Sequence, residues 1–119
     1  MADPPVLVVT TDELPGYEIR AILGEVIGVT VRTQNPYAEG VRGPLGSHLN
    51  PRMVKALAHW REVAVARMAL AARERGANAV VGMRFDHRTI TQWAEICAYG
   101  TAVVAVRSPA MVSARPAAG

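Results

Sequence analysis

The sequence has little of several residue types, and each shortage excludes a class of protein. Cysteine occurs once, at Cys97, so no disulfide can form within the chain and a disulfide-stapled scaffold is excluded. Lysine also occurs once, at Lys55, which leaves a single candidate for Schiff-base chemistry. No apolar run approaches the roughly 20 residues of a membrane-spanning helix. The first residues also lack the basic and then apolar layout of a signal peptide. We therefore expect a cytoplasmic protein without a membrane partner.

Charge is also sparse, and this argues against nucleic acid as a partner. Only 19% of the 119 residues are charged, and the 13 basic and 10 acidic residues leave a net charge of +3. The acidic residues are interleaved with the arginines, whereas nucleic-acid binders concentrate basic residues on one surface. Half of the residues are hydrophobic, which is enough for one globular domain. We predict a single domain over residues 6–107, with flexible termini at residues 1–5 and 108–119.

Hydrophobic periodicity predicts four strands and one helix. Strands are predicted at residues 6–10, 17–33, 78–86 and 94–107, with a helix at residues 51–75 and a polar turn at residues 87–93. This order predicts an α+β fold in which one long helix packs on a mostly antiparallel sheet, in ββαββ order. In the second strand, the odd-numbered residues from Ile19 to Val31 are mostly apolar, so we predict that they form the buried side of the strand. Glu25 shares that parity, so either a bulge at Gly24 turns it outward or it is a buried carboxylate; the bulge is the less costly alternative.

The helix carries the clearest signals. Asn50 fits the N-cap, Pro51 fits the first helical position, and Gly76 fits the left-handed residue that ends a helix. Its apolar residues form two stripes, although a helix on a single sheet needs only one, so we predict that a second copy of the chain covers the other. The first stripe contains Met53, Leu57, Trp60, Ala64 and Met68 or Ala71, and the second contains Val54, Ala58, Val65, Ala69 and Ala72.

Candidate metal ligands are few. His87 and Cys97 would approach each other if the last two strands form a hairpin, but a structural zinc site needs four ligands, so subunits would have to share the site. The alternative is a surface histidine beside a turn and a cysteine in the core. No zinc-binding spacing and no nucleophile motif is present, so we assign no catalytic residue and predict a non-enzymatic protein.

A second candidate site lies in the loop at residues 43–52, which begins at Gly43 and ends at Arg52. Its glycines precede a helix N-terminus and arginines flank it, which is a plausible anion site. Trp93, in a polar stretch, could stack on a flat ligand such as a flavin.

The order of motifs resembles the YbjQ family of small bacterial proteins over about residues 8–106. The resemblance rests on Thr10, Thr11 and Gly16 at the start, Gly24 and Gly28 in the long strand, Arg42 in the loop, and Leu57, Arg61 and Ala64 on the helix. Its most specific motifs are the run from Gly76 to Gly82, Asp86, and the run from Gly100 to Val103. The resemblance implies a dodecin-like subunit in a ring, commonly a pentamer, and it brings a heavy-metal-binding label without a ligand motif that can be placed here. The loop and Met53 depart from the family pattern.

Together, these observations predict a non-enzymatic, cytoplasmic, ring-forming homo-oligomer that binds a divalent heavy-metal ion or a small ligand between subunits. The alternative is a carrier module for an anion or flat ligand that uses residues 43–52 and Trp93.

Overall fold

The computed structural model of the protein describes residues 4–32, 51–90 and 93–109. One helix, α1 (Pro51–Glu74), packs on a mixed sheet of four strands: β1 (Leu7–Val8), β2 (Tyr17–Arg32), β3 (Ala79–Ile90) and β4 (Trp93–Arg107). The strand order in the sheet is β1-β3-β4-β2, and β1 runs parallel to β3 with Leu7 opposite Ala79. The predicted α+β class and ββαββ order are therefore confirmed, and the parallel β1–β3 pair makes the sheet mixed. No described helix has the length and apolar character to cross a membrane.

Contacts divide the chain into two compact units. Unit 1 comprises residues 1–26, 69–84 and 100–119, and unit 2 comprises residues 27–68 and 85–99. Each of β2, α1, β3 and β4 therefore contributes residues to both units. Whether residues 6–107 form one domain stays a prediction.

The core of unit 1 is built from small and β-branched side chains. Val9 packs against this cluster, although only Leu7 and Val8 of the predicted strand at residues 6–10 have strand structure. The Val9 amide nevertheless donates to the Val80 carbonyl at 2.9 Å, so the backbone pairing continues one residue beyond β1. The buried cluster consists of Leu14, Ala79, Val81, Val103 and Ala105.

The end of α1, in unit 1, confirms the sequence signal at Gly76. Gly76 has a φ of 92°, a conformation that only glycine adopts without strain. Its amide donates to the Arg73 carbonyl at 2.8 Å, and the amide of Ala77 donates to the Ala72 carbonyl at 3.0 Å. These two bonds are the Schellman pattern, which satisfies carbonyls that a helix end leaves without a partner.

Asn78 follows this cap and ties it to β4. Its side-chain amide donates to the Ala105 carbonyl at 2.7 Å, and its side-chain carbonyl accepts from the Ala105 amide at 2.8 Å. The side chain thus binds both the amide and the carbonyl of Ala105, as a residue of a neighbouring strand would.

In unit 2, β2 approaches the helix backbone at Gly28. A Cβ atom at this position would collide with the backbone of Ala64 and Met68, which shows that only glycine permits the approach. Thr30, two residues later, is buried and its hydroxyl donates to the Trp60 carbonyl at 3.3 Å. The helix-facing side of β2 after the bulge is therefore the one with even numbers.

The predicted buried side of β2 is consequently wrong for its second half. Ile27 and Val31 are exposed, whereas Thr30, predicted to face solvent, is buried. The cause is Gly24, whose φ of 101° is the local distortion expected of the predicted bulge. The alternation of buried and exposed side chains shifts by one residue here, so Glu25 is exposed as expected, Val26 is buried, and Ile27 and Val31 are turned outward.

Arginine side chains bind backbone carbonyls at three places in unit 1 and at one place in unit 2. Among the described residues, the one ion pair joins Arg20 and Glu18 at 3.2 Å, and both side chains are exposed. Other arginines bind neutral acceptors instead. These hydrogen bonds run from Arg67 to Val29 at 2.6 Å, Arg73 to Pro4 at 3.2 Å, Arg75 to Leu23 at 3.2 Å and Arg84 to Thr10 at 2.8 Å.

One predicted boundary is wrong. His87 lies in β3 and not in the turn predicted at residues 87–93, because β3 extends to Ile90. The last polar residues of β3 are exposed, so their polarity reflects contact with solvent. In the predicted flexible termini, Pro4 accepts a hydrogen bond from Arg73, and the Ser108 amide donates to the Gly16 carbonyl at 2.9 Å. Residues 1–3, 33–50, 91–92 and 110–119, including the Asn50 cap, lie outside the described residues.

Candidate ligand site

A groove in unit 2 brings one face of α1 next to β3. Its volume is about 480 Å³, and among the described residues a histidine of β3 and an arginine of α1 provide polar groups. The other described lining residues are apolar and come from the first two turns of the helix. The described lining consists of Val54, Leu57, Ala58, Arg61 and His87.

The spacing of these residues explains why they meet. Residues three, four and seven positions apart share one face of a helix, so Val54, Leu57, Ala58 and Arg61 project in the same direction. His87 lies in a strand, where its alternation with Asp86 turns the two side chains to opposite faces of the sheet. The groove therefore forms where this face of α1 lies beside one face of β3.

Arg61 makes the central contacts of the site. Its guanidinium carbon lies 4.6 Å from the centre of the Phe85 ring, which is a cation–π contact. Its Nε donates to Nε2 of His87 at 3.4 Å, a long hydrogen bond. The rings of Phe85 and His87 are 6.1 Å apart with an interplanar angle of 35°. An arginine, an aromatic ring and an imidazole thus form one cluster.

The surroundings of His87 favour its neutral form. Partial burial is the largest cause that lowers the pKa of His87 below its usual value of 6.5, and the positive charge of Arg61 lowers it further. The carboxylate of Asp86 acts in the opposite direction. Because Nε2 accepts the bond from Arg61, the neutral ring carries its proton on Nδ1.

This environment does not fit a heavy-metal ion. A metal would have to take the Nε2 lone pair that Arg61 occupies or bind Nδ1 after its proton is lost, and in either case it would lie near a positive charge. At about 4 Å, a divalent ion and a guanidinium repel by about 2 kcal/mol at the dielectric constant of water and by about 8 kcal/mol at an effective value of 20. No group of three histidine, cysteine, aspartate or glutamate residues that could hold a metal occurs in residues 4–32, 51–90 and 93–109.

The predicted partner of His87, Cys97, lies on β4 with a different orientation. It alternates with Ile96 and Ala98, which are buried, while Cys97 itself is half-buried. The buried side of β2 in this unit faces α1, so the same alternation places Ile96 and Ala98 under the helix and Cys97 on the opposite face of the sheet. His87, by contrast, contacts the helix. A metal site at His87 and Cys97 stays a prediction.

The alternative site of the sequence analysis lies mostly outside the described residues. Of the loop at residues 43–52, only Pro51 and Arg52 are described, at the start of α1. Trp93 is the first residue of β4 and 46% exposed. Trp60 is half-buried, and the guanidinium of Arg32 lies 5.3 Å from its ring centre.

Comparison with known proteins identifies the family. The YbjQ family model, described as "Putative heavy-metal-binding", matches residues 6–106. The chain belongs to the YbjQ family. This match confirms the resemblance. The family description names heavy-metal binding and no enzymatic activity.

Bacterial relatives extend this result over most of the chain. A UPF0145 protein of Streptomyces griseus is 43% identical over 110 residues, which covers 87% of this chain and 88% of the relative. A UPF0145 protein of Acidothermus cellulolyticus is 46% identical over 100 residues, with coverage of 81% and 92%. The chain is therefore similar to these YbjQ-family proteins along nearly their whole length.

A solved structure supports the YbjQ-family fold. A DUF74 family protein from Pediococcus pentosaceus, described as having unknown function, superimposes with a TM-score of 0.60 at 12% identity. The match covers 83% of this chain and 96% of that protein. At this identity the similarity concerns the fold alone.

The sequence analysis names Arg61 among the residues that carry the family resemblance, but it does not place Arg61 beside Phe85 and His87. The signal that could have placed it is the helical spacing of Val54, Ala58 and Arg61, because the predicted apolar stripe contains Val54 and Ala58 without the arginine. A second reason is the predicted turn at residues 87–93, which excludes His87 from the alternation of side chains along the preceding strand. Long-range packing between α1 and β3 then determines which side chains meet.

Proposed function

We propose that this chain is a non-enzymatic subunit of a homo-oligomeric ring in the cytoplasm, and that the ring binds a small ligand. The family resemblance implies a pentamer. The observation that carries the proposal is the amount of apolar surface that a single copy leaves exposed.

Exposed apolar side chains concentrate on β2, a strand at the edge of the sheet. Ten large hydrophobic residues of the described chain are exposed, and half of them belong to this one strand. Single exposed hydrophobic residues are ordinary, but a long apolar edge strand is a typical site of association. The five residues on β2 are Tyr17, Ile19, Ile22, Ile27 and Val31.

The helix adds to this surface with part of its second apolar stripe. Ala64 and Met68 of the first stripe are buried; in the second stripe Val54 and Ala58 are exposed, Val65 and Ala69 are half-buried, and Ala72 is buried. Leu70, which belongs to neither stripe, is 52% exposed. A second copy that covers Leu70 and the exposed residues of β2 would remove them from water, with a gain of roughly 25 cal/mol for each Å² of apolar surface.

At two positions of β2 the backbone carbonyl already binds an arginine, so the partner subunit would contact β2 there through side chains. The carbonyls of Leu23 and Val29 accept hydrogen bonds from Arg75 and Arg67. Strand addition at these two carbonyls would have to displace an arginine, so we infer that side-chain packing covers them.

Light scattering coupled to size exclusion, at several protein concentrations, tests the assembly. We expect the wild type to elute as one closed oligomer and the Leu70→Lys and Ile22→Lys variants to shift towards the monomer. Glu62→Lys places the same side chain on an exposed, polar position of the same helix and should keep the oligomer. A monomeric wild type, or variants that keep the wild-type mass, would contradict the proposal.

A divalent heavy-metal ion is the second candidate ligand, and the family description is the observation that favours it. Because the described residues of one chain form no three-ligand group, such a site would need donors from outside these residues, for example from a second subunit. Elemental analysis of protein purified without a metal-affinity tag tests this candidate. A stoichiometric metal that is lost in Cys97→Ala would support it, and protein that neither carries metal nor binds added zinc would exclude it.

A further inference from the structure

We propose that the groove of unit 2 binds a small organic monocarboxylate with an apolar body, and that Arg61 holds its carboxylate group. The inference deepens the proposed function, because it specifies the class of ligand and the residue that recognises it. It also differs from the family description, which points to a cation.

The first argument is the uncompensated charge of Arg61. Within the described part of the chain, Arg61 contacts the Phe85 ring and the imidazole of His87, and neither group carries a negative charge. Asp86 is adjacent in sequence, but strand alternation turns it to the opposite face of the sheet. The groove therefore offers a positive charge to whatever enters it.

The second argument is the orientation of the guanidinium. One face lies over Phe85 and Nε donates a long hydrogen bond to His87, so two contacts orient the plane. Its two terminal nitrogens, Nη1 and Nη2, bind no other described residue. Such a pair of parallel N–H donors matches the two oxygens of a carboxylate. Because the plane is already held, little conformational entropy is lost when the ligand binds.

The third argument is the character of the remaining wall. Val54, Leu57 and Ala58 present apolar surface beside Arg61, and the volume of about 480 Å³ lies within the roughly 300–1,000 Å³ of small-molecule pockets. Because the site supplies one positive charge, it suits a monoanion better than the dianion of a phosphate group. The combination describes a carboxylate attached to an aromatic or aliphatic body.

Titration calorimetry with 2-naphthoate tests the inference on the full-length protein. We expect the wild type to bind 2-naphthoate at least about tenfold more tightly than the neutral 2-naphthylmethanol, as is typical when a charge-assisted hydrogen bond is lost. Arg61→Gln should weaken binding by a similar factor. Ala58→Phe, which fills the groove at an exposed helix position and keeps Arg61, should also weaken it. Arg107→Gln, an exposed arginine on β4 outside the groove, should bind as the wild type does.

Several outcomes would overturn the inference. They are absence of 2-naphthoate binding to the wild type, equal affinity for the neutral alcohol, and unchanged binding in Arg61→Gln. Zinc chloride that binds more tightly than 2-naphthoate and loses its affinity in His87→Ala would replace the anion site with a metal site.

Light scattering of the same samples separates this inference from the proposed function. An intact oligomer that does not bind 2-naphthoate would overturn the ligand class and leave the assembly standing. A monomer that binds 2-naphthoate would do the reverse. Circular dichroism of each variant shows whether α1 remains folded, so that a loss of binding can be assigned to the groove.

Discussion

Replacement of Gly28 by alanine tests the closest contact between β2 and α1. The added methyl group would collide with the carbonyl oxygen of Ala64 and the amide nitrogen of Met68, and it would lie 3.0 Å from the carbonyl carbon of Arg67. All three are backbone atoms of the helix, so no side-chain rotation can relieve the collision. The helix and the strand must move apart, and the packing of both buried helix residues is disturbed.

The expected cost can be estimated from overpacked cores. Extra methylene groups in a well-packed interior cost about 1–3 kcal/mol, and collision with backbone places Gly28→Ala at about 3 kcal/mol. For 119 residues, the unfolding entropy near the midpoint is about 0.25 kcal/mol/K, so the midpoint of thermal unfolding should fall by about 12 °C.

Thermal unfolding followed by circular dichroism, at one fixed protein concentration, measures this effect. Gly76→Ala is the matched control, because nothing lies within 4 Å of the added methyl group and only its φ of 92° opposes the change. A left-handed non-glycine residue costs roughly 1–2 kcal/mol, which lowers the midpoint by about 4–8 °C. A Gly28→Ala midpoint no lower than that of Gly76→Ala would refute the packing argument.

Two further predictions concern other residues of the structure. Asn78→Ala removes both hydrogen bonds to Ala105 and should destabilise the protein by about 2 kcal/mol in urea unfolding; a change below about 0.5 kcal/mol would contradict the bridging role. NMR titration of His87 should give a midpoint below pH 6.5, and Arg61→Gln should raise it because one cause of the lowered pKa is removed. The stabilising contribution of neutral His87 is present above pH 6.5 and is lost as pH falls through the pKa of the folded state; a midpoint at or above 6.5 would contradict this reasoning.

Much of the fold could be predicted from local sequence signals. Gly76 marked the end of α1 because a left-handed residue stops a helix wherever it occurs, and this rule needs no knowledge of the rest of the chain. The prediction of the buried side of β2 had no such local basis. The bulge at Gly24 was recognised, but its effect on every later residue, including Thr30, depends on how many residues it inserts into the pairing.

The candidate site was less accessible to sequence reasoning. Arg61 and His87 are 26 positions apart, and their contact depends on how α1 packs on β3. The sequence identifies His87 as a ligand candidate but pairs it with Cys97, because the last two strands are predicted to form a hairpin. Arg61 enters through the family resemblance alone, and its contacts with Phe85 and His87 depend on packing.

The use of arginine as a donor to main-chain oxygen has a consequence for the conditions that the protein withstands. Attraction between opposite charges fades when dissolved ions screen it or when carboxylates take up protons. The bonds from Arg67 to Val29 and from Arg84 to Thr10 depend on neither, because their acceptors carry no net charge and do not titrate. These hydrogen bonds should therefore persist at high salt concentration and at low pH, where a fold stabilised by ion pairs would lose stability.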